Sequence, residues 1–216
     1  DEGQAYVDKL RASGVAVSHK NFLQQMHGFF AMPAALPAAG KAMAWLAQEM
    51  DRHLTPTERK DVVVVGAGFS GMYQLHKLRE QGLNVQVFER GSDVGGTWYW
   101  NRYPGARVDI ESMAYSFSFS DDLQQEWQWS EKYSPQPELL KYAQHIADRF
   151  DLKSDIAFDT SVVSAHFDDD ADEWLVTTQC GRRVRAQHLV MATGVLSASK
   201  TPDIAGRESY KGSTYT

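Results

Sequence analysis

The chain has a single cysteine, Cys180, so no internal disulfide can form, and no Cys/His cluster stands at zinc-ligand spacing. Long apolar runs are missing too. The most apolar stretch, Phe29 to Ala47, is broken by Pro33, Pro37, Gly40 and Lys41, too interrupted to span a bilayer. No secretory leader pattern and no internal repeat is visible. Positive charge is not in excess: the net charge of −6 argues against a nucleic-acid surface. These absences predict a cytoplasmic protein with no nucleic-acid and no membrane partner. What is present is an ordinary globular composition, 43% hydrophobic and 23% charged over 216 residues, enough for one core and an extension.

Glycine is concentrated where it matters. Asp61 to Gly71 reads DVVVVGAGFSG. Val62 to Val65 are β-branched and consecutive, which predicts a strand buried on both faces. Gly66, Gly68 and Gly71 form G-x-G-x-x-G, and Phe69 to Gln81 has the composition of the helix that should follow. In such a turn the first glycine permits the bend, the second lets backbone approach a pyrophosphate, and the third lets helix and strand pack closely. The pyrophosphate sits on the helix N-terminus. Asn84 to Glu89 predicts a second strand ending on an acid. Glu89 lies about 20 residues past the glycines, where a carboxylate accepts from a ribose 2′-hydroxyl and repels a 2′-phosphate. Strand, helix, strand and acid together predict a Rossmann-like dinucleotide site suited to FAD or NAD.

A second stretch, Gly91 to Met113, reads GSDVGGTWYWNRYPGARVDIESM. Gly95 and Gly96 allow a flat ligand to approach the backbone. Pro104–Gly105 sets a turn. Trp98, Tyr99, Trp100 and Tyr103 either wall a ring system or form an aromatic minicore held by an Arg107–Asp109 ion pair. Chemistry alone leaves both readings open.

This stretch resembles the fingerprint of the type I Baeyer–Villiger monooxygenases, (A/G)-G-x-W-x4-(F/Y)-P-(G/M)-x3-D. Gly95, Gly96, Trp98, Tyr103, Pro104, Gly105 and Asp109 fill every specified position. The surrounding sequence, from Asp61 to about Gly212, is similar to the FAD-domain half of that family, and residues 1–58 are not. The resemblance implies FAD and NADP(H) as cofactors. It implies insertion of an oxygen atom from O2 next to a ketone carbonyl, through a C4a-peroxyflavin, to give an ester or lactone. It places the pyrophosphate on Gly66, Gly68, Phe69, Ser70 and Gly71, and the adenosine on Glu89, Arg90 and Val162. Gly96, Thr97, Trp98, Trp100, Val108 and Tyr115 line the flavin side, with Ala192, Thr193 and Gly194 in the strand and turn that close the domain. Arg107 lies towards the nicotinamide cofactor. Asp109 acts catalytically, facing the flavin and an arginine beyond residue 216. No second G-x-G-x-x-G occurs, and Thr216 stands where the family's next motif has histidine. The NADPH domain is therefore expected in a further C-terminal part or a partner subunit. Two rival readings stand: an N- or S-oxidising flavin monooxygenase, and a non-catalytic FAD-binding module.

The rest of the chain predicts a helical extension over 1–58, with helices at Gln4–Ser13 and Lys41–Leu54, the latter presenting Met43, Leu46, Ala47 and Met50 on one face. Phe22, Phe29, Phe30 and Met32 lie between them, and His19, His27 and His53 read as surface or packing residues. Thr55 to Lys60 reads as a polar linker before an FAD domain over 59–216. Within that domain Tyr115–Ser118 reads as a strand, and Trp127 and Trp129 as surface packing. Pro137–Asp151 reads as a helix in which His145 packs or lies at the surface. Ile156–Phe158, Val162–Phe167, Trp174–Thr178 and His188–Thr193 read as strands, giving a parallel sheet plus an antiparallel meander, and Asp168–Glu173 reads as a solvated hairpin turn. Replacing Glu89 by Arg is expected to weaken FAD binding. Titration with FAD checks this, and unchanged affinity would remove Glu89 as a ribose ligand.

Overall fold

A computed structural model describes residues 2–15, 17–23, 25, 29–31, 36–54 and 57–213. His27, Met32, Pro33, Thr55, Pro56 and Thr216 lie outside the described residues, as do the side chains of Phe30 and His53. The chain forms two compact units, Asp1–Pro56 and Thr57–Thr216.

The first unit has helices α1 (Glu2–Ala12) and α2 (Pro37–Leu54), with a 3-10 turn at Phe29–Ala31. α2 begins earlier than its apolar period suggests, because Pro37 serves as a first helical residue whose missing N–H costs nothing there. Its expected apolar face is not the buried one: Met43, Leu46 and Met50 are exposed, while Ala39 and Ala42 are buried. The rings of Phe22 and Phe29 meet at 5.6 Å. Among the described residues no helix is long and apolar enough to cross a membrane.

The second unit is built on β1 (Thr57–Val65), α3 (Phe69–Glu80), β2 (Val85–Phe88), α4 (Thr97–Trp100), α5 (Asp121–Glu126), α6 (Gln136–Arg149), β3 (Ile156–Ala157), β4 (Val162–Asp168), β5 (Glu173–Thr178) and β6 (Arg183–Met191). One six-stranded sheet has the order β3-β2-β1-β6-β5-β4. β3, β2, β1 and β6 run parallel, and β4, β5 and β6 form an antiparallel meander whose last strand returns beside β1. This is a Rossmann-like α/β fold. The valine run is buried on both faces, as its continuous apolarity predicts. Val62 and Val64 pack with Met72, Leu75, Tyr142 and Ile146, and Val63 packs with Phe88, Val176 and Val184 on the other face.

Three local expectations are corrected. Thr57–Lys60 is no linker but the first half of β1, paired in parallel with Arg183–Ala186. Its polar side chains escaped a strand reading because they are held by ion pairs at the sheet margin. Arg59 bonds Glu173, and Glu58 bonds Arg182 at 2.7 Å. Such partly exposed pairs contribute about 1 kcal/mol or less each, against roughly 1.5–3 kcal/mol for each buried valine. The valine end is therefore the anchored end. Tyr115–Ser118 is not a strand either: Ser112–Tyr115 form a 3-10 turn. Trp127 and Trp129 are half-buried against the core, with ring centroids 5.0 and 4.9 Å from Tyr142. The Asp168–Glu173 turn does join β4 to β5 as expected, and His145 lies beside Trp127 at 5.4 Å.

Gly71 and His76 on α3 make the packing testable. A Cβ on Gly71 would lie 1.9 Å from the carbonyl oxygen of Gly66, a clash with backbone that nothing can relieve cheaply. Gly71→Ala is expected to cost about 3 kcal/mol or more, seen as a lower urea midpoint. His76 stacks on Phe119 at 4.2 Å, and this burial lowers its pKa below the ordinary 6.5 despite Glu80 at 3.2 Å. The unfolded chain therefore binds the proton more readily than the folded one. Stability is expected to fall as pH drops through about 6.5 and below. His76→Gln should flatten that limb in thermal melts at pH 5–8.

Candidate cofactor site

The turn between β1 and α3 leaves donors without acceptors. α3 starts at Phe69, and Met72 N donates to Gly68 O at 3.0 Å as its first internal bond. The N–H groups of Phe69, Ser70 and Gly71 have no acceptor within the helix. Gly68 at the N-cap supplies no side chain, and the first turn carries no acid. The positive end of a twelve-residue helix is thus open to an anion.

The three glycines of this turn are required for different reasons. Gly66 has φ +103° and a Cβ there would stand 2.6 Å from Ala192 O, so the turn lies directly under the end of β6. Gly71 is required by helix–strand packing. Gly68 is different. Its φ of −74° suits any residue, and a Cβ would meet only backbone of Gly96, the Cα at 3.4 Å and the N at 3.8 Å. No packing within the chain demands glycine at 68, and the added methyl group would fill space in front of the helix N-terminus. A pyrophosphate approaching those N–H groups fits that space.

Glu89 follows β2 and is 5% exposed. Its Oε2 accepts from Ala67 N and its Oε1 from Gly91 N, both at 2.7 Å. The carboxylate thus ties the glycine turn to the segment after β2. A carboxylate offers about four lone-pair positions, so two remain for ribose hydroxyls.

The second glycine stretch meets the first back to back. Gly95 N donates to Ala67 O at 3.1 Å, and a Cβ on Gly96, whose φ is +54°, would lie 2.8 Å from Gly68 Cα. Gly96 then leads into α4, so Thr97 to Trp100 are helical rather than loop. The helical turn separates the aromatics by role. Trp98 is buried in a small core with Val108 and Leu139, edge-on to Tyr115 at 5.7 Å. Trp100 is 48% exposed, with the Arg90 guanidinium 4.7 Å above its ring. Tyr103 is exposed. The stretch is therefore part minicore and part open wall. Phe69 packs edge-on to Tyr115 at 5.7 Å.

The Arg107–Asp109 ion pair, part of one of the two readings of this stretch, does not form. Arg107 Nη1 donates to Glu131 Oε2 at 3.2 Å and to Tyr133 O at 3.1 Å. Asp109 is exposed and has no ion pair among the described residues. Burial, with the Asp109 carboxylate second, pushes the Tyr115 phenol above its usual range. Val162 opens β4 opposite Thr178. Ala192 N donates to Val65 O at 2.9 Å, and Thr193 and Gly194 are exposed beyond it. The structure thus gathers Gly66 to Gly71, Glu89, Gly96 and Ala192 around one turn and sets Arg107 and Asp109 on a separate loop. Sequence reasoning missed Gln136, Ser112 and Ser134 in that neighbourhood. All three are buried, and the Gln136 amide donates to the Trp98 carbonyl. A polar residue bonded to backbone leaves no periodic signal.

A sequence profile described as an NAD(P)-binding Rossmann-like domain matches residues 64–128. The chain is 48% identical over 153 residues to a Baeyer–Villiger monooxygenase of Pseudooceanicola batsensis, covering 70% of this chain and 28% of that protein. It is also 48% identical over 153 residues to a phenazine N-monooxygenase of Lysobacter antibioticus, with the same coverage. The solved structure of an oxidized steroid monooxygenase bound to NADP superposes with a TM-score of 0.66 at 57% identity, over 69% of this chain and 29% of that one. Over this stretch the chain is a homologue of proteins named Baeyer–Villiger monooxygenases, and it spans less than a third of the length of these relatives.

Gly68→Ala separates cofactor binding from folding. The variant is expected to melt within about 1 kcal/mol of the parent, since the new methyl group meets only two backbone atoms of Gly96 at ordinary contact distance. It should nevertheless bind FAD at least about tenfold more weakly, a loss of about 1.4 kcal/mol or more. Gly68→Val should retain none. A yellow Gly68→Val protein would show that the pyrophosphate lies elsewhere.

Proposed function

We propose that the protein of which this chain forms a part is a flavin-dependent monooxygenase that inserts an oxygen atom from O2 next to the carbonyl of a ketone, giving an ester or lactone, with NADPH as reductant. The observation that carries this is the joining of two fingerprints in one site. The glycine turn of α3 touches Gly96, and the residues from Gly95 to Asp109 fill every specified position of the Baeyer–Villiger fingerprint. Bound FAD supplies the electron transfer and oxygen chemistry, which this chain's side chains do not provide.

The chain's own residues bind, orient and shield. The N–H groups at the start of α3 take the pyrophosphate charge, and Gly68 and Gly96 leave room for it. Glu89 fixes the adenosine ribose with the lone pairs left by Ala67 and Gly91. Arg90 on Trp100 flanks the adenosine side, and Val162 closes it. Trp98, Val108 and Tyr115 back the flavin side and exclude water. Asp109, exposed and unpaired, faces a cation brought by the rest of the protein, and Arg107 lies towards the nicotinamide nucleotide. The NADPH domain, the ketone pocket and that cation belong to sequence outside this chain.

N-oxidation is the second reading, favoured by the equal identity to the phenazine N-monooxygenase. Anaerobic addition of NADPH to the full-length protein is expected to bleach the flavin absorption band. Readmitting O2 with cyclic or linear ketones is then expected to give esters or lactones by mass spectrometry. Bleaching followed by N-oxide formation from an aromatic amine, with no ester, would reverse the order of the two readings. A protein that takes up no FAD would sink both.

A further inference from the structure

Buried polar residues are few among the described residues, and three of them meet at one junction. Ser112 is 1% exposed, Ser134 fully buried and Gln136 8% exposed. They join two stretches, Ala106 to Ser112 and Glu131 to Gln136, that run side by side. Gln136 N donates to Ala106 O at 2.8 Å, Val108 N to Ser134 O at 3.2 Å and Ser112 N to Lys132 O at 2.8 Å. Arg107 faces Pro135 across the same ladder. Between the bonds of Val108 and Ser112 the ladder lapses, and there Asp109, Ile110 and Glu111 stand exposed.

The Ser112 hydroxyl closes that lapse. Its single proton is shared between the carbonyls of Glu131 and Lys132, at 2.9 and 3.0 Å, and the Ser134 hydroxyl oxygen, and its own oxygen accepts from Ser134 N at 2.8 Å. The two hydroxyls lie 2.9 Å apart, and Ser134 Oγ donates to Glu131 O at 3.2 Å. Both hydroxyls are engaged, and both residues are buried. Buried, satisfied polar groups restrict a loop to one geometry more sharply than apolar packing does.

We propose that Ser112, braced by Ser134, is a positioning residue that fixes the loop bearing Asp109 and Arg107 relative to the cofactor cradle. The inference rests on the monooxygenase reading above. Ser112 touches no ligand in this role. It acts through the backbone of 106–112, and the Glu131 segment it grips is the one whose carboxylate and neighbouring Tyr133 carbonyl hold Arg107.

The test uses the full-length FAD-loaded protein with Ser112→Ala and Ser134→Ala. Ser112→Ala leaves Ser134 N–H unpaired in a dry site. Ser134→Ala keeps that bond and removes the contact with the Ser112 hydroxyl together with the bond to Glu131 O. Both are expected to retain FAD, because the α3 turn and Glu89 are untouched. Ester formed per NADPH consumed should fall about tenfold in Ser112→Ala and about twofold in Ser134→Ala, the scale of loss expected from a small misplacement of reacting groups. Independently of turnover, hydrogen–deuterium exchange should quicken in the peptide spanning 106–112 and stay unchanged over 64–80. A lower melting temperature with unchanged coupling and unchanged exchange over 106–112 would reduce the pair to a stability role and overturn the proposal. If Ser112→Ala does not fold, Ser134→Ala decides by the same two readouts. A parent protein that oxidises no ketone would instead overturn the functional reading, while the exchange comparison would still report on the junction.

Discussion

A buried carboxylate holds this site together. Among the described residues Glu89 has no cationic side chain among the partners of its two oxygens, which instead accept from backbone N–H groups on two different turns. Charge-assisted bonds of this kind contribute more than neutral ones, and removing the acceptor leaves buried donors stranded at about 1–3 kcal/mol each. The glycine turn and the segment after β2 are flexible sequences joined across this group and by the bond from Gly95 N to Ala67 O. The cradle between them is therefore formed before any ligand arrives, so a dinucleotide need not meet the cost of ordering it.

Around that clamp the parts are layered by tolerance. Valines on both faces of β1 fix the strand end, and the strand end fixes the turn. Close backbone approaches at Gly66 under Ala192 and at Gly96 against Gly68 fix the spacing of three chain segments to within a methyl group. The outer parts are held more loosely. Arg90 lies on an exposed Trp100, and Arg107 is tethered by a half-exposed ion pair to Glu131. Under the proposed function, binding of the nucleotide core falls to the rigid layer and the groups turned towards the rest of the protein to the adjustable one.

What could be read beforehand follows the same division. The β1–α3–β2 unit was legible because backbone conformation there is dictated by residue type: β-branched runs make strands, and only glycine fits the close approaches. The parallel sheet with its meander followed from strand spacing. The first half of β1 was hidden, because Thr57 to Lys60 are polar and owe their place to partners more than a hundred residues away. α4 was hidden because one helical turn is shorter than any period. The aromatic stretch stood out in the sequence, but the division of its side chains did not. Trp98 and Trp100 differ by two positions, and the helix sends one inward and the other out. The Arg107–Asp109 pairing failed because Arg107 finds Glu131 and a carbonyl from a segment that only the fold brings near.

The position of Gly66 under Ala192 also sets a timetable for synthesis. β1 and β2 leave the ribosome early and are neighbours in sequence, but the other flank of β1 is β6, which is translated far later. At about 5–20 residues per second, the interval between the glycine turn and the strand that roofs it is on the order of ten seconds. Throughout that time one edge of the central strand is an open, valine-rich template. The nascent chain is most exposed to mispairing or chaperone capture in that window, and the meander that ends it completes both the sheet and the cradle at once.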